Sequence, residues 1–104
     1  MKITDILKQK KVTVSCELFP PKVGTALEDA KKVVRQMAEI QPAFMSVTYG
    51  AGGGNSENTV SIADEIQNVN GITALAHLTC VNSDRQKIES VLAELRQKGI
   101  ENVL

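Results

Sequence analysis

"AFMSVTYGAGGGNS" (Ala43–Ser56) decides how this chain is read. Its first half, Ala43 to Tyr49, is short and mostly apolar, as a strand should be. Its second half carries four glycines in the five residues Gly50 to Gly54. No helix or strand favours such a run, so "GAGGGNS" reads as a loop. Immediately beyond it, Val60, Ile62, Ala63, Ile66 and Val69 mark the apolar positions of a helix over about Glu57 to Asn68. Asn70-Gly71 ends that helix. A strand, a loop at its C-terminal end and a returning amphipathic helix make one βα unit.

The same unit occurs on either side. Val12 to Leu18 reads as a strand, stopped by Pro20 and Pro21, which cannot donate a ladder hydrogen bond. A helix over about Ala26 to Ile40 follows, with Leu27, Ala30, Val33, Val34, Met37 and Ile40 as its apolar stripe and Pro42 closing it. On the other side, Ile72 to Leu78 reads as a third strand. Ser83 and Gln86 form a capping-box pattern for a third helix, Ile88, Val91, Leu92 and Leu95 form one of its faces, and Gly99 suits its C-terminal cap. Ile100 to Leu104 begins a fourth strand. Ahead of all this, Ile3, Ile6 and Leu7 predict a short amphipathic helix capped by Thr4. Strand-to-strand steps of roughly 30 residues suit right-handed parallel crossovers. Strands apolar on both faces suit an α/β sheet covered by helices. A small doubly wound sheet and part of a β/α barrel both fit.

Composition narrows the function. Acidic and basic residues balance at 12 each, which provides no electrostatic footprint for nucleic acid or an anionic membrane. Aromatics are 3 % of the chain and Trp is absent, so a base-stacking surface is not expected. No apolar run approaches the roughly 18 residues of a membrane span, and "MKITDILKQKK" lacks the apolar core of a signal peptide. Two cysteines, Cys16 and Cys80, are unlike a disulfide framework, so a cytoplasmic location is expected.

Chemistry gathers at the strand ends. Glu17 closes the first strand, Thr48 and Tyr49 the second, His77 and Thr79 the third. Ligands of β/α barrels and of open α/β sheets bind at such C-terminal ends. Side-chain parity places Thr13, Ser15 and Glu17 on one face, with Ser46 and Thr48, and with Thr73, Leu75, His77 and Thr79. The other face holds Val12, Val14, Cys16, Met45, Val47, Ala74, Ala76 and Leu78. The first face is the more polar; the second is the one expected against helices. Glu17 sits among Leu18, Phe19 and two prolines, where desolvation favours a protonated carboxyl able to act as a general acid. The bland alternatives are a satisfied buried acid and a turn residue. His77, the single histidine, fits a hydrogen-bonded core residue as well as a ligand contact. No Cys/His/Asp spacing suggests a metal. The glycine loop lacks the Lys-Ser/Thr of a P-loop and the dinucleotide-binding spacing, but its glycines let backbone approach a flat ligand or a phosphate closely.

Three motifs carry a family resemblance: "ELFPPK" (Glu17–Lys22), "FMSVTYGAGG" (Phe44–Gly53) and "AHLTC" (Ala76–Cys80). In order and spacing they resemble the E-F-F-P-P-K, F-V-S-V-T-Y-G-A-G-G and A-H-L-T-C motifs of the methylenetetrahydrofolate reductases, over about Val12 to Leu104. The resemblance implies an eight-stranded β/α barrel with FAD at its C-terminal mouth. NADH or NADPH reduces the flavin, which in turn reduces 5,10-methylenetetrahydrofolate to 5-methyltetrahydrofolate in a ping-pong scheme. It also implies that Glu17 is the general acid that helps open the folate's five-membered ring to an iminium. Thr48, Tyr49, Ala51 and His77 become FAD contacts, Thr48 touching the nicotinamide as well. Leu18 departs from the usual Phe, a tolerable apolar exchange. The family's L-R-G-D motif follows the fourth strand, and this sequence stops at Val103-Leu104. Residues 1–104 are therefore expected to be the N-terminal half of the barrel, with little or no turnover alone. Its first and fourth strands would be open edges that invite a homo-oligomer. Two other readings stay open: a non-catalytic βα module, and a different barrel enzyme whose glycine loop grips a phosphate.

Overall fold

A computed structural model describes residues 1–9, 12–21, 26–49 and 56–104. Four strands, β1 (Ser15–Leu18), β2 (Phe44–Val47), β3 (Thr73–Ala76) and β4 (Asn102–Val103), form one sheet in the order β1-β2-β3-β4. Every pairing is parallel, with Glu17 beside Ser46, Ser46 beside Leu75 and Leu75 beside Asn102. The connections run through α2 (Leu27–Ala38), α3 (Ser56–Asp64) and α4 (Arg85–Gln97), while α1 (Ile3–Gln9) precedes the sheet. The architecture is α/β. Among the described residues no helix is long and apolar enough to cross a membrane.

The core lies between one sheet face and the helices. Met45, Val47, Ala74 and Ala76 are completely buried there, with Cys16, Leu18 and Leu78 packed against them. Opposing them are Val34 from α2, Val60, Ile62 and Ala63 from α3, and Val91 and Leu95 from α4. The parity expected of the strands therefore holds from Cys16 onward. It fails before that. The first strand begins at Ser15, and Val12 and Val14 are 77 % and 61 % exposed. Ile40, beyond the last turn of α2, is exposed as well, so no described element reaches over the start of β1.

Helix ends show where sequence spacing misleads. Asp84, not Ser83, caps α4: its backbone is extended and its carboxylate accepts from the Lys87 amide at 2.7 Å. The capping signal is thus displaced by one residue. Thr4 lies inside α1, and the Ile3 amide is satisfied instead by Asn102 Oδ1 at 2.9 Å, from the far end of the chain. Gly99 does end α4, in the left-handed region at φ 70°. The helix expected through Asn68 is α-helical only to Asp64 and continues as one π-helical turn, Glu65–Val69. From this segment Gln67 and Asn68 donate to the carbonyls of Gly99 and Lys98 at 2.7 and 2.9 Å. These acceptors lie at the end of α4, where helix carbonyls lack intrahelical partners.

Candidate active site

The face of the sheet turned away from α2, α3 and α4 carries the polar side chains. In its central row Ser46 is buried, and its Oγ donates to Glu17 Oε1 at 3.3 Å. His77 lies on the same face, one row nearer the C-terminal end, with Nε2 3.6 Å from the same oxygen. Two atoms from two neighbouring strands thus converge on one carboxylate oxygen. The ladder continues past the regular strands: the Thr48 amide donates to Leu18 O at 2.9 Å and the His77 amide to Val47 O at 3.0 Å. That register sets Thr48 beside His77.

The surroundings of Glu17 are more open than its sequence context predicts. Its side chain is 51 % exposed, against 23 % for His77. Leu18 points to the opposite face and packs on the core, while Phe19 is itself largely exposed. The apolar neighbours in sequence therefore do not enclose the carboxyl: alternation sends Leu18 through the sheet, and Phe19, just past the end of β1, is turned largely to solvent.

Glu17, Thr48 and His77 are brought together. Tyr49 is close in sequence but differently placed: it is buried to 9 % exposure, and its hydroxyl has no hydrogen-bond partner among the described residues. Ala51 and the glycine run lie outside the described residues. Cys16 packs against the core and Cys80 is exposed, both as free thiols. Among the described residues no three His, Cys, Asp or Glu side chains lie close enough to share a metal ion.

Two buried polar residues of α3 were not singled out by sequence reasoning. Asn58 Nδ2 donates to Pro21 O at 3.2 Å, and Thr59 Oγ1 donates to Thr48 O at 3.1 Å. A signal for Thr59 was present. With Ile62, Ala63 and Ile66 it occupies the i, i+3, i+4 and i+7 positions, so a hydroxyl stands on the apolar stripe.

Comparison with known proteins bears on what this arrangement is for. The family model described as methylenetetrahydrofolate reductase matches residues 2–104. The chain belongs to that family. It is 36 % identical over 103 residues to methylenetetrahydrofolate reductase (NADH) 1 of Arabidopsis thaliana, covering 99 % of this chain and 17 % of the relative. Against methylenetetrahydrofolate reductase 1 of Schizosaccharomyces pombe it is 37 % identical, covering 100 % of this chain and 18 % of the relative. A bacterial member, the 5,10-methylenetetrahydrofolate reductase of Pectobacterium carotovorum, is 31 % identical, with 92 % of this chain and 32 % of the relative covered. The chain thus spans between about a sixth and a third of the length of these family members.

Proposed function

We propose that these residues are one wall of a reductase site that transfers a hydride from a nicotinamide through FAD to 5,10-methylenetetrahydrofolate. Residues 1–104 are read as the first three βα units and the fourth strand of an eight-stranded barrel whose mouth is the polar end of the sheet. The observation that carries the reading is the convergence of Ser46 Oγ and His77 Nε2 on Glu17 Oε1, at the C-terminal end of parallel strands. Family membership supplies the reaction class.

The residues present fit a flavin in kind. Thr48 brings a hydroxyl and His77 an imidazole, side by side at the strand ends next to Glu17. The hydroxyl of Tyr49 is a buried polar group with no hydrogen-bond partner among the described residues. Thr48, Tyr49, Ala51 and His77 are the residues assigned to hold the cofactor. Bound FAD supplies the two-electron chemistry that accepts and returns the hydride.

Glu17 delivers a proton from its carboxyl to the ring nitrogen of the folate as the carbon–nitrogen bond breaks, leaving the methylene carbon as an electrophilic iminium. Ser46 and His77 fix the carboxyl oxygen they touch. Because Glu17 is half exposed here, exclusion of water from it falls to the bound ligands. The relatives from Arabidopsis and Zea mays are named for NADH, which makes NADH the first donor to try, with NADPH second.

The test is flavin titration, followed by absorbance and fluorescence, of the reductase polypeptide that carries this segment. His77→Ala should weaken FAD binding about tenfold, the worth of one good hydrogen bond. Unchanged affinity, or stabilisation by phosphate with no response to FAD, would favour a phosphate-gripping enzyme instead.

A further inference from the structure

We infer that Asn58 and Thr59 are positioning residues: one turn of α3 grips the exits of both strands that carry the candidate site. Asn58 holds the Pro21 carbonyl, four residues beyond Glu17, and Thr59 holds the carbonyl of Thr48 itself.

The reason lies in the ladder. In a parallel pair, N–H groups from the two strands alternate as donors along the seam. After the Thr48 amide has donated to Leu18 O, the Thr48 carbonyl would next accept from the N–H of residue 20. Residue 20 is a proline and has none. The two-proline turn that releases β1 from the sheet therefore strands the acceptor of Thr48, and Thr59 supplies the missing donor. Thr59 is 1 % exposed and Asn58 9 %. Both are poor helix formers, and an apolar residue would serve the core-facing stripe better. A polar residue buried there costs stability unless its hydrogen bond is made. Here each bond is made to a strand exit and not within the helix. The pair couples the direction in which β1 leaves, after Glu17, to the direction in which β2 leaves, at Thr48.

The functional part of this inference rests on the reading proposed above; the mechanical part does not. The mechanical part is tested by amide hydrogen exchange on the full chain. Thr59→Val should speed exchange of the Thr48 amide at least tenfold and leave the Ala43 amide, bonded to Val14 O at the other end of the strand, within about twofold. Thr59→Ser should restore the wild-type rate. Equal acceleration at both ends, or no rescue by serine, would overturn the inference. The functional part is read in the flavin-loaded reductase carrying this segment. Thr59→Val should slow flavin reduction by the nicotinamide about tenfold. Asn58→Ala should slow reoxidation by the folate about tenfold while leaving reduction within about twofold, since small misplacements of reacting groups are costly. Equal slowing of both half-reactions by each variant would overturn it. Failure of the reading itself shows separately, as folate reoxidation that survives Glu17→Gln.

Discussion

Glu17 was legible as a special residue from one strand and its turn, but its partners were not. Parity sets Ser46 on the same face; only the register Glu17 beside Ser46 makes it a donor to the carboxylate. His77 reaches the same oxygen because it lies two residues beyond Leu75 in the third strand. An ion pair away from the site illustrates the electrostatics of the fold. The Lys98 ammonium, 2.8 Å from Asp64 Oδ2, together with the Asn68 amide, holds the Asp64 carboxyl below its ordinary value. A carboxyl depressed in the folded state stabilises at pH values above its unfolded value, and that contribution is lost as pH falls through the folded one. Lys98→Met should therefore lower the melting temperature at pH 7 and lose that effect near pH 2. The deficit should be a few degrees at most, since exposed, screened pairs contribute about 1 kcal/mol or less. An equal deficit at both pH values would assign the effect to packing of the lysine stem. Asn102, which accepts from the Ile3 amide of α1 across almost the whole chain length, and Asn58, which donates to Pro21, had no legible partner, because nothing local specifies a hydrogen-bond partner dozens of residues away.

At the scale of elements, the order of strands and helices was legible throughout, because each βα unit repeats the same change from strand to helical periodicity. Boundaries were less so. Strands expected to have seven residues, such as Val12 to Leu18 and Ile72 to Leu78, pair regularly over four. The π-helical turn at Glu65–Val69 left no trace in the apolar pattern; the side chains it presents, Gln67 and Asn68, reach carbonyls of Gly99 and Lys98, just past α4 and about 30 residues away in sequence. Helix α4 gives a clean test of the end chemistry. Asp84→Ala removes the side-chain cap and should cost about 1 kcal/mol. Gly99→Ala forces a side chain into the left-handed region at φ 70° and should cost about 1–2 kcal/mol. The two sites share no partner, so urea denaturation of the double variant should return the sum. A loss confined to one end would mean that α4 is held by its buried face, through Val91 and Leu95, and not by its caps.

For the whole molecule, the four-stranded sheet has β1 and β4 at its borders, and each carries exposed apolar residues in or beside it: Val12 and Val14 just ahead of β1, Val103 in β4 and Leu104 just after it. Beside β4, Leu92, Leu95, Ile100 and Val103 contribute to the lining of a groove of about 370 Å³. Such borders template association, and the chain at high concentration is expected to scatter light as more than a monomer. Val14→Lys should suppress that association while changing stability by about 0.5 kcal/mol or less; undiminished scattering would exclude the β1 border as the contact. The role proposed for Glu17 is to supply the proton in a folate reductase to which the polar end of this sheet belongs. It is tested most directly by stopped-flow absorbance of the flavin in the reductase carrying this segment, comparing wild type with Glu17→Gln. Flavin reduction by the nicotinamide should be retained, while reoxidation by 5,10-methylenetetrahydrofolate should fall by about 10²–10⁴-fold, the usual contribution of a positioned acid. Reoxidation at the wild-type rate would contradict it and return Glu17 to the role of a structural acid.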